Sequence, residues 1–379
     1  MDFSYTEEQI MFKESVRKFA EAEISPLIHQ METEKQTPRD LVRKMKEMGF
    51  YAVQYSEEYG GVGSSYIEYV IMMEEIARVY CSIAGHMGVS GMAAATIYNF
   101  GTEEQKMKYL PELLNGDAIG SFAFTEAATG SDAKAIRATA VRDGNDWVIN
   151  GEKIFITNST MPGYIALFCK DVEKDGKITN IIVPKDAKGY STPKLVEKMG
   201  MHGMEVADVV LEDVRVPVEN TTGGETMRGK GFQMLLAMTP LGKLSVCGQC
   251  VGMAQAALDA AVKYAKERVQ RGEPIANFQS IQWIIGEMST ELAAARQMTL
   301  STAYAKSVGK DITYDAARTR LFTSQVAHRA ASNAMQVHGA FSYSTEFSVE
   351  RIFRDAKLTE VYEGVNEIQR VIAASELLR

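Results

Sequence analysis

One carboxylate near the C-terminal end of the sequence has the surroundings of a general base. Glu363 lies between Tyr362 and Gly364, at a break between two helical patterns. The glycine lets the backbone approach a ligand closely. If the neighbouring groups are apolar, they raise the pKa of the carboxyl and make it a useful proton acceptor. An exposed loop acid is the alternative, and the residues alone leave both open.

Two further segments have side chains that suit a polar ligand. Between Phe122 and Asp132, the hydroxyls of Thr125 and Ser131 and the backbone of Gly130 could form hydrogen bonds to a planar polar group. A polar turn with a helix cap explains this segment equally well. The run 268–274, with two arginines and a glycine, also fits a cationic helix C-terminus, which is the favoured interpretation without further context.

Other motifs are better explained by packing. Cys247 and Cys250 form a C-x-x-C motif, but no βαβ setting and no second cysteine pair accompany it. We interpret these cysteines as small residues on a packed helix face. The five histidines are scattered, and no metal site is predicted. Gly229-Lys-Gly231 lacks the strand and spacing of a phosphate-binding loop.

The elements that must position these residues fall into three stretches. Helical spacing of apolar residues runs from residue 5 to about 114, with helix starts at Thr6 and Thr102. A period of two follows over 120–217, with predicted turns at Asn150-Gly151 and Asp175-Gly176, and predicts an antiparallel β-domain. Long helices are then predicted over 244–270, 280–308 and 313–337. The predicted fold is mainly α with a central β-domain, divided into 1–118, 119–230 and 231–379.

Composition excludes several classes of protein. The chain has 379 residues, of which 46% are hydrophobic and 24% charged, so a sizeable core is expected. The net charge of −8 argues against a nucleic-acid binder. No apolar run approaches the ~20 residues of a membrane span. The first residues lack the features of a signal peptide, and four cysteines form no disulfide framework. We therefore expect a cytoplasmic protein without membrane or nucleic-acid partners. We take it to be bacterial, and a processed mitochondrial chain is the alternative.

Taken together, these segments closely resemble the acyl-CoA dehydrogenase family of flavoproteins, essentially from end to end. Each segment is weak alone, but their order is highly specific. The resemblance is carried by Ser56-Glu-Glu-Tyr-Gly-Gly-Val-Gly63, Gly101-Thr-Glu-Glu-Gln-Lys106, Phe124-Thr-Glu126, Asn150-Gly-Glu-Lys-Ile-Phe-Ile-Thr-Asn158, Glu212-Asp-Val-Arg-Val-Pro217, Arg268-Val-Gln270, Gln336-Val-His-Gly339, Arg354-Asp-Ala-Lys357 and Tyr362-Glu-Gly364.

The resemblance implies a fold and a reaction. The family has an N-terminal helical domain, a β-barrel-like domain and a C-terminal four-helix bundle. Its members oxidise an acyl-CoA thioester to the 2,3-enoyl-CoA with FAD as hydride acceptor, pass electrons to electron-transferring flavoprotein, and are usually homotetramers. Two alternatives keep the same scaffold: an enoyl-CoA reductase and an O₂-using acyl-CoA oxidase. A helical scaffold protein without turnover is an alternative of a different class.

The resemblance also assigns residues to roles. Glu363 would be the base, with Gly364 against the substrate. The flavin and the thioester end would be lined by Phe122, Phe124, Thr125 and Ser131, and the flavin ring contacted by Phe155 and Thr157. The FAD pyrophosphate and adenosine would be held, partly across a subunit contact, by Arg268, Gln270, Gln279, Gln336 and Gly339. The FAD site would be completed by Val365 and Glu367, and the substrate would also contact Ser131, Pro240 and Lys243.

Departures from the family pattern concern the substrate. The family's Asp-x-Gly-Arg is Pro240-Leu-Gly242-Lys243 here, near where family members hold the thioester. Some branches carry the base at the position of Gly242, so Glu363 with Gly242 indicates the branch for straight-chain and other common acyl groups. Small residues (Gly85, Gly88, Gly91 and Ala93 to Ala95) predict space for a bulky, branched or cyclic acyl group. The absence of an arginine there argues against a dicarboxylic chain.

Overall fold

The N-terminal part of the chain is helical, as predicted. The computed structural model describes residues 4–130 and 132–378. The helices are α1 (Glu7–Phe19), α2 (Ile28–Glu34), α3 (Arg39–Glu47), α4 (Tyr66–Phe100) and α5 (Glu103–Leu114). Thr6 and Thr102 begin α1 and α5 with reciprocal capping boxes, which confirms both predicted helix starts. Helix α4 is kinked at Tyr80, where φ is −156° and ψ is 110°.

The central part is a curled sheet. Its strands are β1 (Ser121–Ala123), β2 (Thr139–Asp143), β3 (Asp146–Thr157), β4 (Tyr164–Asp171), β5 (Lys177–Pro184), β6 (Tyr190–Ser191) and β7 (Val206–Pro217). The order is β1-β4-β2-β3-β7-β6, and β5 pairs with β4. The prediction of a purely antiparallel domain is wrong, because β4 pairs in parallel with both β1 and β2. Strands and loops of residues 124–163, rather than a helix, form the long connection that parallel pairing requires.

The prediction of a turn at Asn150-Gly151, the strongest turn signal in the sequence, is also wrong. Strand β3 runs straight through Asn150-Gly151, and its register against β7 shifts between Ile149 and Gly151. Gly151 has φ 142°, and a Cβ there would lie 2.6 Å from the Cβ of Ala138. The glycine therefore allows a β-bulge with close backbone contact instead of a hairpin. The predicted turn at Asp175-Gly176 is confirmed between β4 and β5.

The C-terminal part is again helical. It contains α6 (Gly231–Glu267), a small hairpin of β8 (Val269–Gln270) and β9 (Glu273–Pro274), α7 (Gln279–Ser307), α8 (Thr313–His338), α9 (Ser348–Leu358) and α10 (Asn366–Leu377). Helix α6 begins earlier than the predicted 244, so Pro240 lies inside it. Cys247 and Cys250 are buried and free on α6, as the packing interpretation predicted.

One hydrophobic core joins the two helical parts. It includes Val16 and Met73 from the first part and Leu244 and Ala327 from the second. Helices α4 and α6 approach closely, since a Cβ at Gly252 would lie 2.3 Å from the carbonyl oxygen of Glu74. Among the described helices, α6 alone is long and apolar enough to cross a membrane, but 83% of its apolar window is buried inside the protein, as in a core helix. This packing places the middle of α6 beside α4, where the candidate site lies.

Candidate functional site

Glu363 lies in the loop between α9 and α10, as predicted. Its φ of 53° is in the left-handed region, which is uncommon for a residue other than glycine. The loop is held from α8 by Arg320, whose guanidinium donates to the carbonyl of Tyr362 at 2.5 Å and also to the side chain of Asn366. From α10, Gln369 donates to the carbonyl of Gly364 at 2.8 Å. These contacts hold the loop without using the carboxyl of Glu363, which has no hydrogen bond among the described residues.

The carboxyl of Glu363 lies against helix α6 at Gly242. A Cβ built on Gly242 would lie 2.5 Å from Oε2 of Glu363 and 3.3 Å from Sδ of Met92. Residues from α4, α6 and the loop after α9 thus meet at one carboxylate. Only a residue without a side chain fits at position 242 while Glu363 keeps this position.

Burial controls the electrostatics around this carboxyl. Burial raises the pKa of Glu363, while the positive charges of Arg320 and Lys243 oppose the rise. Lys243 is only 3% exposed, and no hydrogen bond or ion pair reaches its ammonium among the residues that the structure describes. Burial lowers the pKa of Lys243 to about 8, although the charge of Glu363 acts in the opposite direction. The site therefore holds a carboxyl with a raised pKa beside two buried cations.

A small cavity opens beside Glu363. We call it the base recess; it has room for about one water-sized group and is lined by Gln54, Tyr55, Tyr66, Tyr69, Gly88, Gly91, Met92, Ala95 and Leu241. Met92 joins the recess to the base, because its sulfur faces the same Gly242 as the carboxyl. The recess therefore lies next to the carboxyl of Glu363.

Two of the glycines of α4 named in the sequence analysis are closely packed by neighbouring side chains. The space beside Gly85 is filled by Met201 and Met204, and a Cβ at Gly88 would lie 2.6 Å from Oγ of Ser245. Only Gly91 faces open space, with the Tyr55 hydroxyl as its nearest neighbour at 3.9 Å. Gly85 therefore serves close packing of neighbouring segments, whereas Gly88 and Gly91 also line the base recess.

The predicted flavin residues of the β-domain lie together. Phe122 is on β1 and Phe124 and Thr125 follow it; Phe155 and Thr157 are on β3. The two segments are joined by hydrogen bonds from Ser121 Oγ to the carbonyl of Thr157 at 2.8 Å and from the Ile154 N–H to that of Thr125 at 3.0 Å. Phe122 also packs against the cluster that contains Met92 and Leu241. The structure thus brings Phe122 against two of the residues that line the base recess; Ser131 lies outside the described residues.

A second predicted group lies far from the base. Arg268 places its guanidinium 5.3 Å from the ring centre of Phe341 and hydrogen-bonds the side-chain oxygen of Gln270 at 2.7 Å. Gln336 and Gly339 end α8, and Gln279 begins α7. Arg320 and Gln336 lie 16 positions apart on α8, which corresponds to about 24 Å along the helix axis. Within one copy of the chain, this group and Glu363 therefore lie far apart.

Several site residues escaped the sequence analysis. Arg320 is one of several charged residues along α8, and Met92 is one of 21 methionines. Tyr66 and Tyr69 lie at the start of α4, where the capping box of Ser65 and Glu68 marks a helix start but no binding site. Their closeness to Glu363 depends on how α4, α6 and α8 pack, and no local pattern carries that information.

Models of protein families now set this geometry in context. The N-terminal, middle and C-terminal domain models of acyl-CoA dehydrogenases match residues 6–117, 121–214 and 229–378. The chain belongs to the acyl-CoA dehydrogenase family. It is 41% identical to the probable acyl-CoA dehydrogenase YngJ of Bacillus subtilis (strain 168), with both chains covered to 100%. It is also 39% identical to the acryloyl-CoA reductase (NADH) of Anaerotignum propionicum, over 100% of this chain and 96% of that protein.

Solved structures agree with this membership. One is a chain from a study of the electron transferring flavoprotein of Acidaminococcus fermentans (36% identity, TM-score 0.97, both chains covered to 100%). Another is an acyl-CoA dehydrogenase complexed with FAD from Bacillus anthracis (29% identity, TM-score 0.94, covering 99% of this chain and 67% of that one). This acyl-CoA dehydrogenase homologue is accordingly an FAD-dependent flavoenzyme, and its fold class is confirmed.

The residues present fit FAD chemically. Phe155 is 59% exposed and held at a φ of 56°, which offers an aromatic face to a flavin ring. The hydroxyls of Thr125 and Thr157 suit the polar edge of such a ring. Arg268 with the exposed amides of Gln270 and Gln279 forms a donor set that suits a pyrophosphate.

Proposed function

We propose that this flavoenzyme forms a 2,3 double bond in a short acyl-CoA thioester, with Glu363 as the base. The observation that carries the proposal is the Glu363 carboxyl, which is held against Gly242 at the mouth of the base recess with a raised pKa. Bound FAD supplies the acceptor for the β-hydride. Val365 and Glu367 at the start of α10 extend the FAD site from the same loop.

The chain's own groups account for the proton transfer. Glu363 accepts the α-proton at its carboxylate, and its raised pKa brings the carboxyl closer to the basicity that this weakly acidic proton demands. The N–H of Glu363 has no hydrogen-bond acceptor within residues 4–130 and 132–378. It is therefore free to polarise the thioester oxygen, where negative charge develops. Gly364 keeps side-chain bulk away from the bound thioester, and Pro240 and Lys243 lie on the α6 face that meets it.

The reverse reaction is a second candidate. Similarity to a protein named acryloyl-CoA reductase favours it specifically. In that direction Glu363 would return its proton to the α-carbon of an enoyl-CoA, and the same residues would position the thioester.

An anaerobic titration of the holoenzyme tests the proposal. Saturated short acyl-CoA thioesters should bleach the oxidised flavin band within the turnover time. A yellow protein that is reduced by none of them, but whose reduced form is oxidised by enoyl-CoA, would favour the reductase. Rapid reoxidation by air would favour the oxidase. A protein that cannot bind FAD would contradict the assignment altogether.

The electron partner and the assembly belong to the same proposal. Electrons would pass to an electron-transferring flavoprotein, in keeping with the similarity to a chain from a study of that protein. Gln336, in the same group as Arg268, lies about 24 Å along α8 from Arg320, and the group would serve the cofactor of a second copy. Large exposed apolar side chains surround it: Val269, Trp283, Phe341 and Tyr343. We propose a homotetramer in the bacterial cytoplasm.

A negative charge at this surface should disrupt both the assembly of the oligomer and the binding of FAD. Trp283 is 67% exposed and lies one helical turn after Gln279. Trp283→Glu should dissociate the oligomer and weaken FAD binding at least tenfold, because a buried carboxylate without a partner opposes association. Sedimentation velocity and FAD titration measure both effects. Met107→Glu, at a 57% exposed site on α5, is the control. A Trp283→Glu protein that stays assembled and yellow would contradict the shared site.

The pH profile should reveal the influence of Lys243. Oxidation needs ionised Glu363, and the positive charge of Lys243 favours that form. Lys243→Met should raise the pKa of Glu363 and move the acidic limb of kcat/KM to higher pH, with a several-fold loss at pH 6.5. The loss should vanish well above pH 8, where Lys243 is itself neutral. Lys243→Arg should keep the acidic limb, and an unchanged limb in Lys243→Met would disprove the coupling.

A further inference from the structure

We infer that Gln249, in the middle of helix α6, is a positioning residue for the base and acts through the side chain of Tyr362. The inference rests on the proposed function, since it concerns how Glu363 is held at that same site. The amide of Gln249 contacts Tyr362, the residue directly before the base, and so influences the base indirectly.

One hydrogen bond ties the loop between α9 and α10 to helix α6. The hydroxyl of Tyr362 donates to Oε1 of Gln249 at 2.6 Å. Arg320 and Gln369, which hold the backbone of the same loop, belong to α8 and α10. The bond to Gln249 instead reaches the helix against which the carboxyl of the base lies. A movement of Tyr362 relative to α6 would carry the base with it, because one planar peptide unit joins the two residues.

Gln249 lies on the same face of α6 as the glycine that meets the carboxyl. Positions 242, 245 and 249 are spaced by three and four residues, so they form one row along the helix. The row spans about 10.5 Å, or two turns. The carboxyl of Glu363 faces the start of the row, and the hydroxyl of Tyr362 reaches its end. Two consecutive residues of the loop are therefore set against two fixed points on one helix.

The amide of Gln249 is held in one orientation. Gln249 is only 2% exposed, and its Nε2 donates to Oγ of Ser245 at 3.2 Å. This donation fixes which end of the amide carries the acceptor, and Oε1 is left to face Tyr362. Sγ of Cys81 lies 3.7 Å from the same oxygen. Because both ends of the amide are engaged away from water, the acceptor offered to Tyr362 has a single, well-defined position.

The packing of α4 against α6 leaves space for this amide. A Cβ at Gly88 would lie 2.6 Å from Oγ of Ser245 and 3.4 Å from Nε2 of Gln249. The helices are close here, since a Cβ at Gly248 would lie 2.8 Å from the Cβ of Met73. A larger residue at position 88 would displace the pair formed by Ser245 and Gln249. The glycine of α4 thereby allows a polar pair between two tightly packed helices.

Two variants of the holoenzyme remove the bond from opposite ends. Tyr362→Phe deletes only the hydroxyl, and Gln249→Leu deletes the acceptor. In each, the limiting rate of anaerobic flavin bleaching by butyryl-CoA should fall at least tenfold, because a shift near 1 Å at a reacting group costs about 10²-fold. Stopped-flow measurement over a range of thioester concentrations separates this rate from the dissociation constant. The dissociation constant should change by less than about threefold, since the bond acts on the base rather than on the ligand.

A double variant distinguishes positioning from general stability. Each single change leaves a buried polar group without its partner and should lower the thermal midpoint. Tyr362→Phe combined with Gln249→Leu replaces both partners by apolar groups, so the midpoint should recover while the bleaching rate stays low. Thr302→Val is the control. It removes a buried hydrogen bond of 2.9 Å to Thr319 between α7 and α8, and it should lower the midpoint but keep the wild-type rate.

The outcomes separate the inference from the proposed function. Wild-type bleaching rates in both single variants would refute the inference and leave Glu363 as the base. Recovery of the rate together with the midpoint in the double variant would also refute it, because packing alone would then hold the base. If no saturated thioester bleached the flavin of the wild-type enzyme, the proposed function itself would fail.

Discussion

Replacing Glu363 by glutamine should abolish most of the oxidation rate and leave the flavoprotein intact. Glutamine keeps the shape of the side chain but cannot accept the α-proton, so flavin reduction should slow by about 10³-fold or more. The fold should tolerate the change, because Arg320 and Gln369 hold the loop through the backbone carbonyls of Tyr362 and Gly364. Anaerobic stopped-flow measurement of flavin bleaching gives the rate, and the thermal midpoint checks the fold.

Glu360→Gln is the matched control for this change. Glu360 lies three residues earlier in the same loop and pairs with Lys357 at 2.6 Å, away from the base recess. We expect it to retain a near-wild-type rate. If the Glu363→Gln enzyme reduced its flavin as fast as the wild type, another group would be the base. If neither the variant nor the wild type turned over, the scaffold alternative would stand.

Adding one methyl group at position 242 should disable the enzyme without unfolding it. In Gly242→Ala the new Cβ would lie 2.5 Å from Oε2 of Glu363, so the carboxyl must move. Position 242 is inside helix α6, where alanine is favoured over glycine by about 1 kcal/mol, so the backbone gains rather than loses stability. A displacement near 1 Å at a reacting group lowers rates by about 10²-fold. We expect that loss in kcat with FAD binding unchanged.

Gly286→Ala controls for the general effect of alanine in a long helix. A Cβ at Gly286 on α7 would meet nothing within 4 Å, so rate and cofactor content should match the wild type. Full activity in Gly242→Ala would mean that the carboxyl works from a different position, and the geometry proposed for the base would be wrong.

Local rules account for the elements that the sequence analysis located correctly. The capping boxes at Thr6 and Thr102 involve residues three positions apart, so a short stretch contains all the necessary information. The same rules failed at Asn150-Gly151. There the pairing of β3 with β7 and the contact of Gly151 with Ala138 override the local turn preference. Pro240 likewise lies inside α6 because packing along α4 sustains the helix through it.

The sequence by itself determined three structural stretches, a loop carboxylate beside a glycine, and a resemblance strong enough to name a family. These follow from periodicity, neighbouring residues and motif order, which are all local along the chain. Only the tertiary structure decided that Gly242, Met92 and Arg320 meet at Glu363. It also decided that Met201 and Met204 fill the space beside Gly85. Burial and charge act through space, so the raised pKa of the base and the size of its recess depend on residues far apart in the chain.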